Sequence, residues 1–189
     1  MIRAFIAVNL APPVIEEIAK VQAVLQEARG DVRWTRVESL HLTLKFLGDI
    51  ARNQVEPIVS ALREALRERP SLHLEAQGVG AFPNLKRPRV LWAGIQGAGI
   101  KELSETIETV LMPLDFPPEE REFTPHLTLG RVRSLRGWER VLGVVKKYKQ
   151  TYFGRSTVDQ VILYQSDLRP EGAVYSVLGA VSLLNVSPP

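Results

Sequence analysis

Cysteine is absent from the 189 residues, which removes disulfides, thiolate nucleophiles and cysteine-ligated zinc from consideration. Histidine is scarce, with three in the whole chain, so any imidazole chemistry rests on very few positions. Long hydrophobic runs are lacking as well. The opening MIRAFIAVNLAPP is cut by Asn9, Pro12 and Pro13, and no segment approaches the roughly 20 apolar residues that span a bilayer. The opening therefore reads as a first strand, and a soluble, cytoplasmic protein without membrane attachment is expected. A G-x-S-x-G elbow and a P-loop are also missing, which argues against a Ser-His-Asp hydrolase and against nucleotide-driven chemistry.

Charge of one sign is only mildly in excess: 24 Lys and Arg against 21 Asp and Glu give a net charge of +3. Positive charge favours polyanionic partners, and arginine, which outnumbers lysine 17 to 7, suits phosphate through its planar fork. A surface adapted for heat or solubility carries the same composition. Apolar residues at 45% and charged residues at 24% are ordinary globular usage, and the length suffices to bury a core without staples.

Four segments show helical periodicity with start and stop signals: 12–28, 53–68, 99–112 and 135–149. Between them lie runs of strand character: IRAFIAV, SLHLTLKFL, LHLEAQGVGAF, RVLWAGI, FTPHLTLGRV, TVDQVILYQSD and VYSVLGAVSL. Strands interspersed with amphipathic helices predict an α/β or α+β protein with helices packed on sheet.

One word occurs twice. HLTL stands at 41–44 and at 126–129, each copy between helices, which suggests a weak internal duplication. On a strand, residues i and i+2 share a face, so His41 and Thr43 project together while Leu40, Leu42 and Leu44 oppose them. In the second copy His126 and Thr128 stand opposite Pro125, Leu127 and Leu129. His73 lies on a similar alternating stretch but is followed by Glu75 instead of threonine, and it serves as a structural control.

Two histidines and two hydroxyls facing one space suit displacement at phosphorus. The nucleophile enters opposite the leaving group, so a base and an acid must flank the phosphate. An imidazole pKa near 6.5 lets one ring be neutral while the other is charged, and threonine hydroxyls donate to the non-bridging oxygens. A metal is the rival use of the histidines, but H-x-T lacks the second ligand that H-x-H or H-E-x-x-H supplies. No metal and no cofactor are expected.

The paired H-x-T-x motifs, in the surroundings RAFIAV, VRWTRVESLHLTLKFLGD, FTPHLTLGR and VILYQSDLRPEGAVYSVL, resemble the 2H phosphoesterase superfamily, in particular its RNA 2′,3′-cyclic phosphodiesterases, also named 2′-5′ RNA ligases. The resemblance covers nearly the whole chain. It implies an α+β fold of two antiparallel sheets flanked by helices around a central cleft, with residues 1–189 forming a single bilobal domain of pseudo-two-fold character. It also implies metal-independent opening of a 2′,3′-cyclic phosphate at an RNA end to a 2′-phosphate, with His41 as proton donor to the departing 3′-oxygen, His126 as base, and Thr43 and Thr128 holding the phosphate. Identical motifs do not by themselves distinguish donor from acceptor. Reversal with a 5′-hydroxyl RNA end in place of water would form a 2′-5′ linkage without ATP.

Strand parity adds candidate substrate contacts. Arg3 and Phe5 share a face of the first strand, for phosphate and base stacking; Lys45 continues the His41–Thr43 face; Arg131 follows the second motif where the family often carries a basic residue. Strict alternation points Arg131 away from His126 unless a bulge near Gly130 redirects it. Phe46 falls with the leucines and is expected in the core, and the basic loop 82–92 could guide an RNA backbone. Two readings of other classes compete: a noncatalytic RNA-binding module, and a related enzyme acting on a small cyclic nucleotide or an ADP-ribose cyclic phosphate. A monomer is expected, because the cleft is built from both parts of one chain.

Overall fold

Pro12 and Pro13 open the first helix, where absent backbone donors cost nothing, and Val14, Ile18, Val21 and Leu25 recur on its buried face. A computed structural model describes residues 1–169 and 172–185. In chain order its elements are β1 (Ile2–Val8), α1 (Pro12–Glu27), β2 (Val32–Trp34), β3 (Leu42–Ile50), α2 (Val55–Leu66), β4 (Leu72–Phe82), β5 (Val90–Gln96), α3 (Ile100–Leu111), β6 (His126–Val132), α4 (Trp138–Lys147), β7 (Tyr152–Val158), β8 (Gln160–Arg169) and β9 (Gly172–Ser182).

All four expected helices form. Two strands were not expected. β2 is three residues long, too short to show a period, and β7 contains Gly154 at φ 129°, which breaks its pattern. The run 157–167, read as one strand, divides at Asp159 into β7 and β8. Within the segment VILYQSDLRPEGAVYSVL, Pro170 and Glu171 lie outside the described residues.

The strands are ordered β7-β4-β5-β6-β3-β1-β8-β9, with β2 paired on β6, and every pairing between them is antiparallel. Instead of the two separate sheets expected, they make one curled sheet whose parts meet at a single residue pair, Leu42 with Leu127. Those two leucines belong to the two HLTL words and are fully buried.

Helices cover the other side of the sheet: α1 packs on β7 and α4, α2 on β9 and α3, α3 on β3, and α4 on β4. The cover is exchanged between the two parts of the sheet. α1 leaves β1 yet packs on β7, and α3 leaves β5 yet packs on β3. Ile18, Leu25, Ile58, Leu62, Leu103 and Ile107 are all fully buried in this layer, each contributing about 1.5–3 kcal/mol by leaving water. No helix of the described residues is long and apolar enough to cross a membrane.

Candidate active site

The Leu42–Leu127 pair sets the geometry. The two words lie side by side and antiparallel with their leucines in the core, so His41, Thr43, His126 and Thr128 occupy the opposite face, each histidine turned toward the other word's threonine. All four side chains are partly buried. The imidazoles are held in the same way. Nδ1 of His41 lies 2.8 Å from the carbonyl of Ser39, and Nδ1 of His126 lies 2.7 Å from the carbonyl of Thr124. A carbonyl only accepts, so Nδ1 carries the proton in both rings and Nε2 is the atom left for acid–base work.

Both words end in the same irregularity. Across β1 and β3, Ala7 pairs with Thr43 but Ile6 pairs with Lys45, so Leu44 is an extra, bulged residue. Across β5 and β6, Trp92 pairs with Thr128 but Leu91 pairs with Gly130, so Leu129 is bulged in turn. A bulge reverses the alternation beyond it. Arg131, opposite Val90, is thereby brought onto the face of His126 and Thr128. Each bulged carbonyl meets a buried polar side chain from a helix: Gln22 Nε2 of α1 donates to Leu129 O at 2.9 Å and to Thr35 O at 2.8 Å, and Ser104 Oγ of α3 lies 3.4 Å from Leu44 O. Gln22 and Ser104 are among the few buried polar residues, and this pairing explains their place in an apolar layer.

The first bulge corrects two expectations. Lys45 does not share the His41–Thr43 face. It is buried beside Ile6, ion-paired with Glu108 of α3, and donates to Pro117 O at 2.7 Å. Phe46, expected in the core, lies on the cleft side opposite Phe5 and is 56% exposed. Phe5 is also corrected from a base-stacking role. It is 3% exposed and packed among His41 (4.7 Å between ring centroids), Tyr164 (5.4 Å) and Tyr175 (5.0 Å), leaving no open face. It is a wall that orients His41. Arg3 lies on the cleft face, exposed, opposite Asp49. His73 is exposed on β4, with Nδ1 at 3.2 Å from Thr157 Oγ1 across the strand pair, away from the two words.

Around His126 the walls are Phe82, edge-on at 4.9 Å, and Trp92, 5.3 Å from Phe82. They line a recess of about 230 Å³ with Gln77, Thr124 and Pro125. The indole of Trp92 lies flat on Gly80, where an added Cβ would come within 2.3 Å of its ring, so only glycine admits it.

Burial pushes both imidazoles below the ordinary histidine value, since desolvation disfavours the charged ring. The carbonyl bonds oppose this, because they favour a ring that donates. The charged neighbours differ. His126 itself acts on His41, whereas the permanent charge of Arg131 acts on His126. Burial raises the Tyr175 phenol, against which Arg131 and Arg3 pull downward; both arginines thus reach the field of the same site.

The model of the LigT-like phosphoesterase family matches residues 8–92 and 96–175. The chain belongs to this family. Curated relatives named RNA 2′,3′-cyclic phosphodiesterase include one from Archaeoglobus fulgidus, 35% identical over 93% of this chain and 97% of the relative, and one from Methanothermobacter thermautotrophicus, 31% identical over 93% and 95%. Among solved structures, TT0787 of Thermus thermophilus superposes with a TM-score of 0.82 at 27% identity, covering 97% of this chain and 98% of that one. Apo LigT of E. coli gives 0.73 at 25% identity, covering 96% and 97%.

In this LigT-like phosphoesterase several site residues escaped sequence reasoning. Tyr164 and Tyr175 come from β8 and β9, far along the chain from His41, and only the β1–β8 pairing of Phe5 with Tyr164 brings them in. Phe82 and Trp92 arrive through β4 and β5 in the same way. Aromatic residues on alternating strands are the one signal available beforehand, and that signal does not say which strands are neighbours.

Proposed function

We propose that this LigT-like phosphoesterase hydrolyses the 2′,3′-cyclic phosphate at an RNA end to a 2′-phosphate, using His41 and His126 as acid and base and no metal. The observation that carries the reading is the matched pair of imidazoles, each with Nδ1 held by the carbonyl two residues earlier and a threonine two residues later. The names of the relatives point to the same reaction. His126 Nε2 takes a proton from water as its oxygen attacks phosphorus. The P–O3′ bond breaks, and the proton on His41 Nε2 passes to the departing oxygen. Thr43 and Thr128 donate to the non-bridging oxygens, whose charge grows in the transition state.

The unequal surroundings support this division of roles. Arg131 disfavours a charged His126 at all times, whereas the effect of His126 on His41 vanishes once His126 is neutral. The ring of His41 stacks on Phe5, a contact that favours a cation and suits His41 to the donor role. The requirement for a 2′-hydroxyl selects RNA over DNA. A 5′-hydroxyl RNA end taking the place of water at His126 forms a 2′-5′ linkage by the same proton transfers. The chain works as one monomeric domain, since neither part of the sheet holds both histidines.

The test is hydrolysis of a short RNA ending in a 2′,3′-cyclic phosphate, with EDTA present, by wild type, His41→Ala and His126→Ala. Expected are a 2′-phosphate product and a drop of about 10²–10⁴-fold in kcat for each variant, the usual range for losing a general acid or base. Well-folded wild type that leaves the RNA end intact would sink the assignment in favour of a small cyclic nucleotide. Hydrolysis that survives both substitutions would sink the two-histidine mechanism.

A further inference from the structure

β2 lies on β6 with Arg33 directly opposite Arg131. Opposed residues of an antiparallel pair share a face, with Cβ atoms about 5 Å apart, so the side that the Leu129 bulge assigns to Arg131 is also that of Arg33. Both are exposed, and among the described residues neither forms an ion pair. Like charges directly opposed across two strands are destabilising. Two neighbouring guanidinium forks are, however, a natural seat for a phosphate, which each can hold bidentately. The short strand is held in place for this. Trp34 and Val32 sit so closely on Gly130 that an added Cβ would come within 2.7 Å of Val32 Cγ1.

The place of the pair along the sheet says which phosphate it meets. The partners of Thr128 and Arg131 across β5, Trp92 and Val90, are two residues apart because Leu129 is bulged, which puts Arg131 about 7 Å further along the sheet at roughly 3.3 Å per residue. That is roughly one nucleotide away from a phosphate held between the HLTL words. The opposite end of the site is acidic. A concavity of about 660 Å³ beside Phe46 is lined by Asp49, Asp115, Glu119 and Glu120, with Arg121 and the Glu108-paired Lys45 among them, and the excess of carboxylates repels a phosphate chain. An RNA strand leaving the histidines therefore runs over β2 and β6. A terminal cyclic phosphate is the 3′ end, so everything beyond it lies on its 5′ side.

We propose that Arg33, together with Arg131, clamps the phosphate adjacent to the scissile one on its 5′ side, and that the enzyme thereby selects oligonucleotide ends over cyclic mononucleotides. This rests on the RNA-end reading above.

The test uses three substrates: a 2′,3′-cyclic mononucleotide, a dinucleotide ending in the cyclic phosphate, and that dinucleotide with an uncharged methylphosphonate at its internal linkage. In wild type the charged dinucleotide is expected to exceed the mononucleotide in kcat/KM by about tenfold or more, the worth of one charge-assisted contact. The methylphosphonate and Arg33→Gln should each remove most of that ratio, and both together no more than either alone. With a tetranucleotide, the slope of log KM against log salt should flatten by about 0.7 in Arg33→Gln, as for one lost phosphate contact to a single strand. The unfolding midpoint of Arg33→Gln should equal or exceed that of wild type, because a like-charge pair is relieved. A wild type that opens mononucleotide and dinucleotide equally well overturns the clamp. So does an Arg33→Gln variant slowed alike on all three substrates, with or without a lower midpoint, which marks a structural role. Failure of wild type to open any of the three is a different result: it removes the RNA-end reading and the clamp with it.

Discussion

His41 and His126 are alike in sequence, tautomer and hydrogen bonding, and they differ in depth of burial and in what charges and rings stand beside them. Both native pKa values lie below the unfolded value of about 6.5, so in that interval the unfolded chain binds more protons. The stability they contribute is fully present above about pH 6.5 and is lost as pH falls through the native values. Urea unfolding followed from about pH 8 to pH 5 should show this decline in wild type and a shallower one in His41→Gln and His126→Gln. The opposite slope, stability rising on acidification, would contradict the burial argument. The same lowering acts on turnover. Acid and base roles require one charged and one neutral ring, so kcat/KM should rise as pH falls from about 8 and peak below about 6.5. A flat profile would separate the two rings from the chemistry. The shared face of His41 with Thr43 and of His126 with Thr128 was legible in the sequence, because period-two alternation puts residues i and i+2 on one side of a strand. Tyr164 and Tyr175 were not, because their nearness to His41 depends on which strands pair.

At the scale of elements, the bulged residue that follows the threonine of each HLTL word, Leu44 or Leu129, separates what parity predicts from what the fold presents. Without the Leu44 bulge Lys45 would face the cleft and Phe46 the core; with it, Lys45 joins Glu108 under α3 and Phe46 is exposed. The second bulge acts in favour of the expectation, since it turns Arg131 toward His126. Bulges were not readable here because their carbonyls are satisfied from other elements, Gln22 of α1 and Ser104 of α3, and no local signal announces a partner more than 50 residues away. Gln22→Leu keeps a similar side-chain volume but removes both hydrogen bonds, at an expected cost of about 1–3 kcal/mol, and frees Leu129 to shift register. Chemical denaturation paired with kinetics on a cyclic RNA end should show a loss of kcat/KM that stabilisation by added salt or cold does not restore. Should stability fall while kcat/KM holds, the bulge is maintained without Gln22. Ser104→Ala, acting through a contact at 3.4 Å, should cost less on both measures.

At the scale of the molecule, the site lies on the seam between two parts of the sheet whose strands β3 and β6 are paired in register at Leu42 and Leu127 alone and which exchange their covering helices. Leu127→Ala should cost about 2–5 kcal/mol as a core truncation, and it should also lower kcat, because it loosens the contact that sets one histidine against the other. Leu62→Ala, equally buried but on α2, is the matched comparison: a similar loss in urea stability with kcat retained. Equal slowing by both would deny the seam a special role. The sequence by itself determined the four helices, the strand character around them, and a histidine with a threonine on the polar face of each HLTL strand, because these depend on periods of a few residues. Only the tertiary structure decided that the strands form one sheet, that Leu42 meets Leu127, that Lys45 is buried, and that Arg33 stands opposite Arg131. Each of those depends on register between segments distant in the chain, and register is set by the packing of the whole sheet against its helices and by no short run of residues.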